Sequence, residues 1–222
     1  MKVLLVEDDA SLREGMGELI SDLAEVRSVG TVAEALAALG AEPFELVVTD
    51  LRIGGGESGG RAVVEAARRR GRSVAIVSAA SPEEVARALR PFIPDGILVK
   101  PFQIEDILGL VERFLAVYRA AEQAAHKDGA PDAGWSEQGP GVQVVVSGDG
   151  EGARAWVRLA RDARWQWEVR PRGREVVRLL EGELEVEGVR YVAPATFFVG
   201  AAQLPEVRTS TGCLAVTLGL KG

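Results

Sequence analysis

One cysteine and one histidine in 222 residues set the first boundary on the chemistry. A lone Cys213 has no partner for an intrachain disulfide. A lone His126 leaves Cys/His zinc sites and histidine cages without their ligands, and a Ser-His-Asp triad without its base unless His126 itself serves. Aromatic residues make up only 5% of the chain, and no apolar run approaches the ~20 residues that span a bilayer. The opening apolar run, residues 3–6, is too short for the core of a secretory signal and ends in acids, so the expectation is a cytoplasmic chain with no membrane partner. A basic excess is missing as well. The net charge is −7; residues 1–118 carry 13 Lys/Arg against 19 Asp/Glu, and residues 142–222 carry 11 against 10. Neither part has the positive surplus of a nucleic-acid-binding domain.

Two patterns occupy what remains. Residues 1–118 alternate between short Val/Ile/Leu-rich runs (2–7, 25–30, 45–50, 73–78 and 96–100) and helical periodicities. Runs that are apolar throughout are strands buried on both faces of a parallel sheet. Ser11-x-x-Glu14, Thr31-x-x-Glu34 and Ser81-Pro82-x-Glu84 read as capping boxes that open helices, residues 62–70 as a short helix, and residues from Ile104 past Leu115 as a fifth. Five βα units in a row predict a doubly wound α/β fold with a five-stranded parallel sheet. Residues 119–141 read as a linker, helical at its start, because 127–141 are rich in Gly, Pro, Asp and Ser and lack periodicity. From 142 to 222 short strands and glycine turns predict a small all-β barrel; residues 183–187 alternate strictly.

In such a parallel sheet, ligands bind beyond the carboxyl ends of the strands. The residues there are Glu7-Asp8-Asp9, Asp50, Ser78-Ala79 and Lys100-Pro101. Crowded carboxylates call for a cation, and Mg²⁺ prefers oxygen ligands and retains water. Asp8, Asp9, Asp50 and the backbone carbonyl of Arg52 are the candidate ligands. Asp50 is the candidate nucleophile toward a phosphoryl group, with Ser78 and Lys100 neutralising charge. Val6-Glu7-Asp8-Asp9, Val48-Thr49-Asp50, Val77-Ser78-Ala79 and Val99-Lys100-Pro101-Phe102 together resemble the flavodoxin-like receiver domain of two-component response regulators. That resemblance implies phosphorylation of Asp50 with Mg²⁺ by a sensor histidine kinase, and self-catalysed dephosphorylation. Two positions depart from it. Ile97 stands where the family carries an aromatic switch residue, and residues 53–60 form a glycine-rich loop in place of one with a proline. A receiver fold kept as a non-phosphorylated scaffold is the alternative.

In the second half, Glu175 and Gly182 match the tail of one cupin motif, and Gly188 and Pro194 match the start of another. The domain resembles a cupin barrel without the metal-binding histidines; Val199 falls at a histidine position. The expectation is therefore a module that binds a partner protein, a small ligand or a second copy of the chain as a homodimer, with no turnover beyond that of the receiver. A metal-independent cupin-type enzyme using Glu168 or Glu175 as base is the alternative. Trp165, Trp167, Phe197 and Phe198 either line a barrel mouth or fill its core, and core packing is the more ordinary arrangement. Arg170, Arg172 and Arg174 suit either an anion or a solvated hairpin, of which the hairpin is the commoner. Arg68, Arg69 and Arg70 complement a helix dipole. Cys213 reads as an inert core thiol and His126 as solvated.

Overall fold

The computed structural model describes residues 1–222 except 93, 128, 148–153, 168–174, 187, 200–205 and 220–222, and excepting the side chains of 57, 124–127, 175, 198, 199 and 219. The described chain divides into two compact units, Met1–Ala116 and Val117–Gly222.

The first unit holds β1 (Lys2–Val6), α1 (Ala10–Ser21), β2 (Glu25–Val29), α2 (Val32–Ala41), β3 (Leu46–Thr49), α3 (Glu57–Arg69), β4 (Ser73–Ser78), α4 (Pro82–Leu89) and β5 (Gly96–Val99), followed by the start of α5 (Ile104–Lys127). The five strands form one parallel sheet in the order β2-β1-β3-β4-β5. The three inner strands β1, β3 and β4 are buried almost without break, which is why they read as continuous apolar runs. The capping boxes at Thr31 and Ser81 form as the sequence predicts. The one at Ser11 does not. Asp9, extended at φ −68° and ψ 116°, caps α1 by accepting from the Leu12 amide, and Ser11 lies inside the helix. Aspartate and serine cap about equally well, so the backbone leaving β1 decides between them.

Helix α3 begins at Glu57, five residues before the start that residues 62–70 suggest, and absorbs part of the glycine-rich run. The reason is steric. A Cβ on Gly60 would stand 2.4 Å from the carbonyl oxygens of both Asp50 and Leu51, and one on Gly59 would stand 2.6 Å from that of Ile53. The helix thus lies directly against the chain that follows β3, at a distance only glycine allows. Arg68 differs from the dipole-complementing role its neighbours suggest: it is buried and pairs with buried Asp95 at 2.8 Å. The same Asp95 oxygen accepts from the Val74 amide at 2.8 Å.

The second unit is a nearly closed, all-antiparallel β-barrel. Its strands are β6 (Ser136–Gly139), β7 (Val142–Ser147), β8 (Arg154–Leu159), β9 (Arg164–Gln166), β10 (Glu175–Val186), β11 (Val189–Val192), β12 (Ala195–Val199), β13 (Glu206–Arg208) and β14 (Cys213–Gly219). The order is β6-β7-β8-β14-β10-β13-β9, with β11 and β12 also on β10. Strand β10 takes in the alternating stretch that begins at Glu183 and extends back through Gly182 to Glu175. Its register shifts between Leu179 and Glu181, and Gly182 follows at φ +75°, where a Cβ would lie 1.9 Å from the Gly212 carbonyl oxygen. Strand β6 lies in the stretch that reads as linker; Ser136 and Glu137 pair with Val144 and Gln143.

Trp167 and Phe197 are fully buried, and Phe197 stacks on Tyr191 with centroids 3.8 Å apart, so these aromatics are core. Burial pushes the Cys213 thiol up to about 12, which leaves it protonated and unreactive. Helix α5 continues to Lys127, and within the second unit its Val117 and Ala121 pack on Val176 and Leu218 of the barrel. The Tyr118 hydroxyl donates to the Thr196 carbonyl at 3.4 Å. The backbone of His126 is in this helix. Glu168, Arg170, Arg172 and Arg174, with the side chains of Glu175 and Phe198, lie outside the described residues.

The Arg68–Asp95 pair yields the first prediction. Asp95→Ala strands a buried guanidinium and is expected to cost about 3–5 kcal/mol in urea unfolding, whereas Ala substitution at half-buried Glu65, paired at the surface with exposed Arg69, is expected to cost about 0.3–0.5 kcal/mol.

Candidate functional site

Adjacent strand ends build the site. Val6 of β1 and Thr49 of β3 are register partners, so the next residues, Glu7 and Asp50, emerge side by side. The Asp50 amide donates to the Val6 carbonyl at 3.1 Å, and the Lys100 amide to the Ser78 carbonyl at 2.8 Å. Ladder hydrogen bonds therefore run to the rim and fix the bases of all four side chains.

At the centre is the Lys100 ammonium. It donates to Asp50 Oδ2 at 2.6 Å and to Glu7 Oε2 at 2.8 Å. The Glu7 and Asp50 side chains are only 3% and 11% exposed, so these bonds form with little screening by water. Desolvation raises the Glu7 pKa above the usual carboxylate range, against the pull of Lys100. Burial pulls Lys100 down, but the hydrogen bonds it donates to Asp50 and then to Glu7 outweigh that and its pKa is raised. The other Asp50 oxygen, Oδ1, accepts from the Arg52 amide at 2.9 Å.

The remaining candidates sit around this pair. Asp8 Oδ2 accepts from the Gly54 amide at 2.9 Å, which ties the loop after β1 to the loop after β3. Gly54 and Gly55, at φ +67° and +84°, make the turn that brings that amide round. Ser78 is buried at the end of β4, and its hydroxyl accepts from the Ala80 amide at 3.3 Å. Asp9 Oδ1 accepts from the Leu12 amide at the start of α1. Thus Asp50, Glu7 and Lys100 are in direct contact, Asp8 is latched to the loop after β3, and Asp9 caps α1. Glu7 is the member whose role the acid run alone did not single out. Its signal is the strand register, which makes it the partner of Asp50. Ile97, at the position of the expected aromatic, packs against the sheet core.

Every donor here is a hard oxygen, the type Mg²⁺ takes. Among the described residues no three His, Cys, Asp or Glu side chains gather to hold a metal by themselves. A cation at this rim would complete its shell from backbone carbonyl and water, as Mg²⁺ characteristically does.

Removing the shared ammonium exposes the electrostatics. Lys100→Met is expected to cost roughly 2 kcal/mol at neutral pH, because Glu7 and Asp50 are left facing each other. The folded state holds the Glu7 proton more tightly than the unfolded chain does, so stability rises as pH falls through the folded Glu7 value. The deficit should therefore shrink on acidification to about pH 5, read by urea unfolding followed on amide resonances of the first unit. An unchanged deficit would refute the shared-cation account. Gly60→Ala forces a methyl group into the Asp50 and Leu51 carbonyls and is expected to cost about 1–3 kcal/mol, with shifted Asp50 and Arg52 amide resonances.

Comparison with known proteins follows the same division of the chain. Residues 3–112 match the response regulator receiver domain family. Similar solved structures include the BeF3-activated DrrB receiver domain, 25% identical over 52% of this chain and 97% of that one, TM-score 0.46. A CheY-like receiver domain protein from Methanospirillum hungatei JF-1 is 22% identical over 53% and 95%, TM-score 0.48. A CheY-like receiver domain from Methylobacillus flagellatus is 22% identical over 51% and 98%, TM-score 0.44. No curated protein matches the chain. Among the described residues no helix is long and apolar enough to cross a membrane. The N-terminal segment of this chain, residues 3–112, is a response regulator receiver domain.

Proposed function

We propose that the chain is a response regulator phosphorylated on Asp50 by a sensor histidine kinase in the cytoplasm, with the barrel as an output module that does not bind DNA. The observation that carries this reading is the Lys100 ammonium held between the Asp50 and Glu7 carboxylates at a strand-end rim. One Asp50 oxygen attacks the phosphorus of a phosphohistidine. A P–O bond forms as the P–N bond breaks, and the electron pair stays on the imidazole. Lys100, freed from part of its pairing, and the Ser78 hydroxyl meet the charge on the phosphoryl oxygens. Water later cleaves the acyl phosphate and restores the carboxylate.

Bound Mg²⁺ would add neutralisation of the phosphoryl oxygens. We assign its ligands to Asp8, Asp50 and the Arg52 carbonyl, with Glu7 as the second acid of the rim. Asp9 contributes by fixing the start of α1.

For the barrel we infer a cupin-like binding module, acting on a partner protein, a small ligand or a second copy, and we assign it no turnover of its own. Gly182 within β10 and Gly188 in the turn after it, both at positive φ, support the family resemblance in shape, and the domain contains no histidine to support cupin metal chemistry.

The test uses the full chain with Mg²⁺ and beryllofluoride, a phosphoryl mimic. Amide resonances of residues 50–56, 78–80 and 97–100 are expected to shift, and Asp50→Asn to abolish the shifts. An unchanged spectrum in the unsubstituted chain would leave a receiver fold used only as a scaffold.

A further inference from the structure

The loop that carries Glu7 and Asp8 has a fastening that the Asp50 chemistry does not use. Arg13, in the first turns of α1, reaches back over it. Its Nη1 donates to the Glu7 carbonyl at 2.7 Å and to the Asp8 carbonyl at 3.3 Å. A guanidinium is a rigid, always-charged donor, and its hydrogen bonds are stronger than those between neutral groups. The space it occupies is opened by a glycine. A Cβ on Gly30, just past the end of β2, would stand 2.9 Å from Arg13 Nη1 and 3.3 Å from Cζ. Gly30 is not among the glycines with positive φ. Its backbone therefore does not call for glycine, and the missing side chain serves as clearance for Arg13.

The loop needs such a fastening because adjacent carboxylates repel one another and Asp50. Lys100 offsets that repulsion at the side chains of Glu7 and Asp50, and the Gly54 amide holds Asp8. Neither holds the loop backbone to α1. We propose that Arg13 is the positioning residue of this acid loop: it clamps the Glu7 and Asp8 carbonyls, holds the two acids toward Asp50, and so sets the affinity of the rim for a divalent cation. Its affinity arm rests on the reading of the rim as an Mg²⁺ site; its loop-order arm does not.

The experiment compares the full chain with Arg13→Ala, Arg13→Lys, Gly30→Val and the Arg13→Ala/Gly30→Val double variant. Two readouts are taken: amide exchange at Asp8 and Asp9 without metal, and a titration with MgCl₂ followed by amide shifts. Arg13→Ala and Gly30→Val should each speed exchange at Asp8 and Asp9. Each should also weaken Mg²⁺ binding about tenfold, the usual size of an effect on a group supporting a metal ligand. The double variant should be no weaker than Arg13→Ala, since both changes remove one contact. Arg13→Lys should restore part of the affinity, because an ammonium still reaches one carbonyl. An arginine that merely supports the fold would lower the melting temperature and leave Mg²⁺ affinity unchanged, which would overturn the proposal. Unchanged exchange in Arg13→Ala, or full additivity in the double variant, would overturn it too. If the unsubstituted chain takes up no Mg²⁺ while exchange still quickens in the variants, the functional reading fails and the clamp stands.

Discussion

A single ammonium between two buried carboxylates is the constraint on which the N-terminal unit turns. Glu7 and Asp50 leave neighbouring strands at the same level of the sheet, and neither is open to water. Without a shared counter-charge the two carboxylates would repel each other across a desolvated gap. Lys100 can answer both because β5, with β3 and β4 between it and β1, ends at the same rim with its own amide tied to the Ser78 carbonyl. The order β2-β1-β3-β4-β5 is therefore a condition of this charge pairing as well as a property of the fold. Burial strengthens the pairing and also makes Glu7 reluctant to ionise, so the site combines strong attraction with a raised carboxylate pKa.

Much of this was legible in the sequence because local signals and tertiary demands agree. The runs at β1, β3 and β4 are apolar on both faces, and the Thr31 and Ser81 boxes begin helices where the strands require them. The acids at the ends of β1 and β3 and the lysine at the end of β5 follow from where a parallel sheet places its ligands. The role of Glu7 was harder to read, since one acid run offers three carboxylates and only register distinguishes them. Ser11 misled because an equally good cap stood two residues earlier.

The barrel was less legible, for a different reason. Strand β6 is Ser-Glu-Gln-Gly, with no apolar alternation, and becomes a strand through its pairing with β7. Strand β10 looks broken at Glu181-Gly182 because composition records the bulge and the turn-like glycine, while the pairing with β14 that carries the strand through them is non-local. The glycines that carry the cupin resemblance have positive-φ backbone geometry as their explanation, so they speak to the shape of the domain more than to any activity.

Helix α5 has a practical bearing on how the barrel can be handled. Its Val117 and Ala121 cover Val176 and Leu218, and Tyr118 reaches the Thr196 carbonyl. A fragment cut at the apparent start of the barrel, at Val142, would lose this cover and the β6 edge strand together. It would bare an apolar patch on its outer wall and an unpaired face of β7, two features that promote aggregation. An excised barrel that stays in solution has to keep the final turns of the helix, and the natural point of severance lies inside a continuous α-helix rather than in a loop.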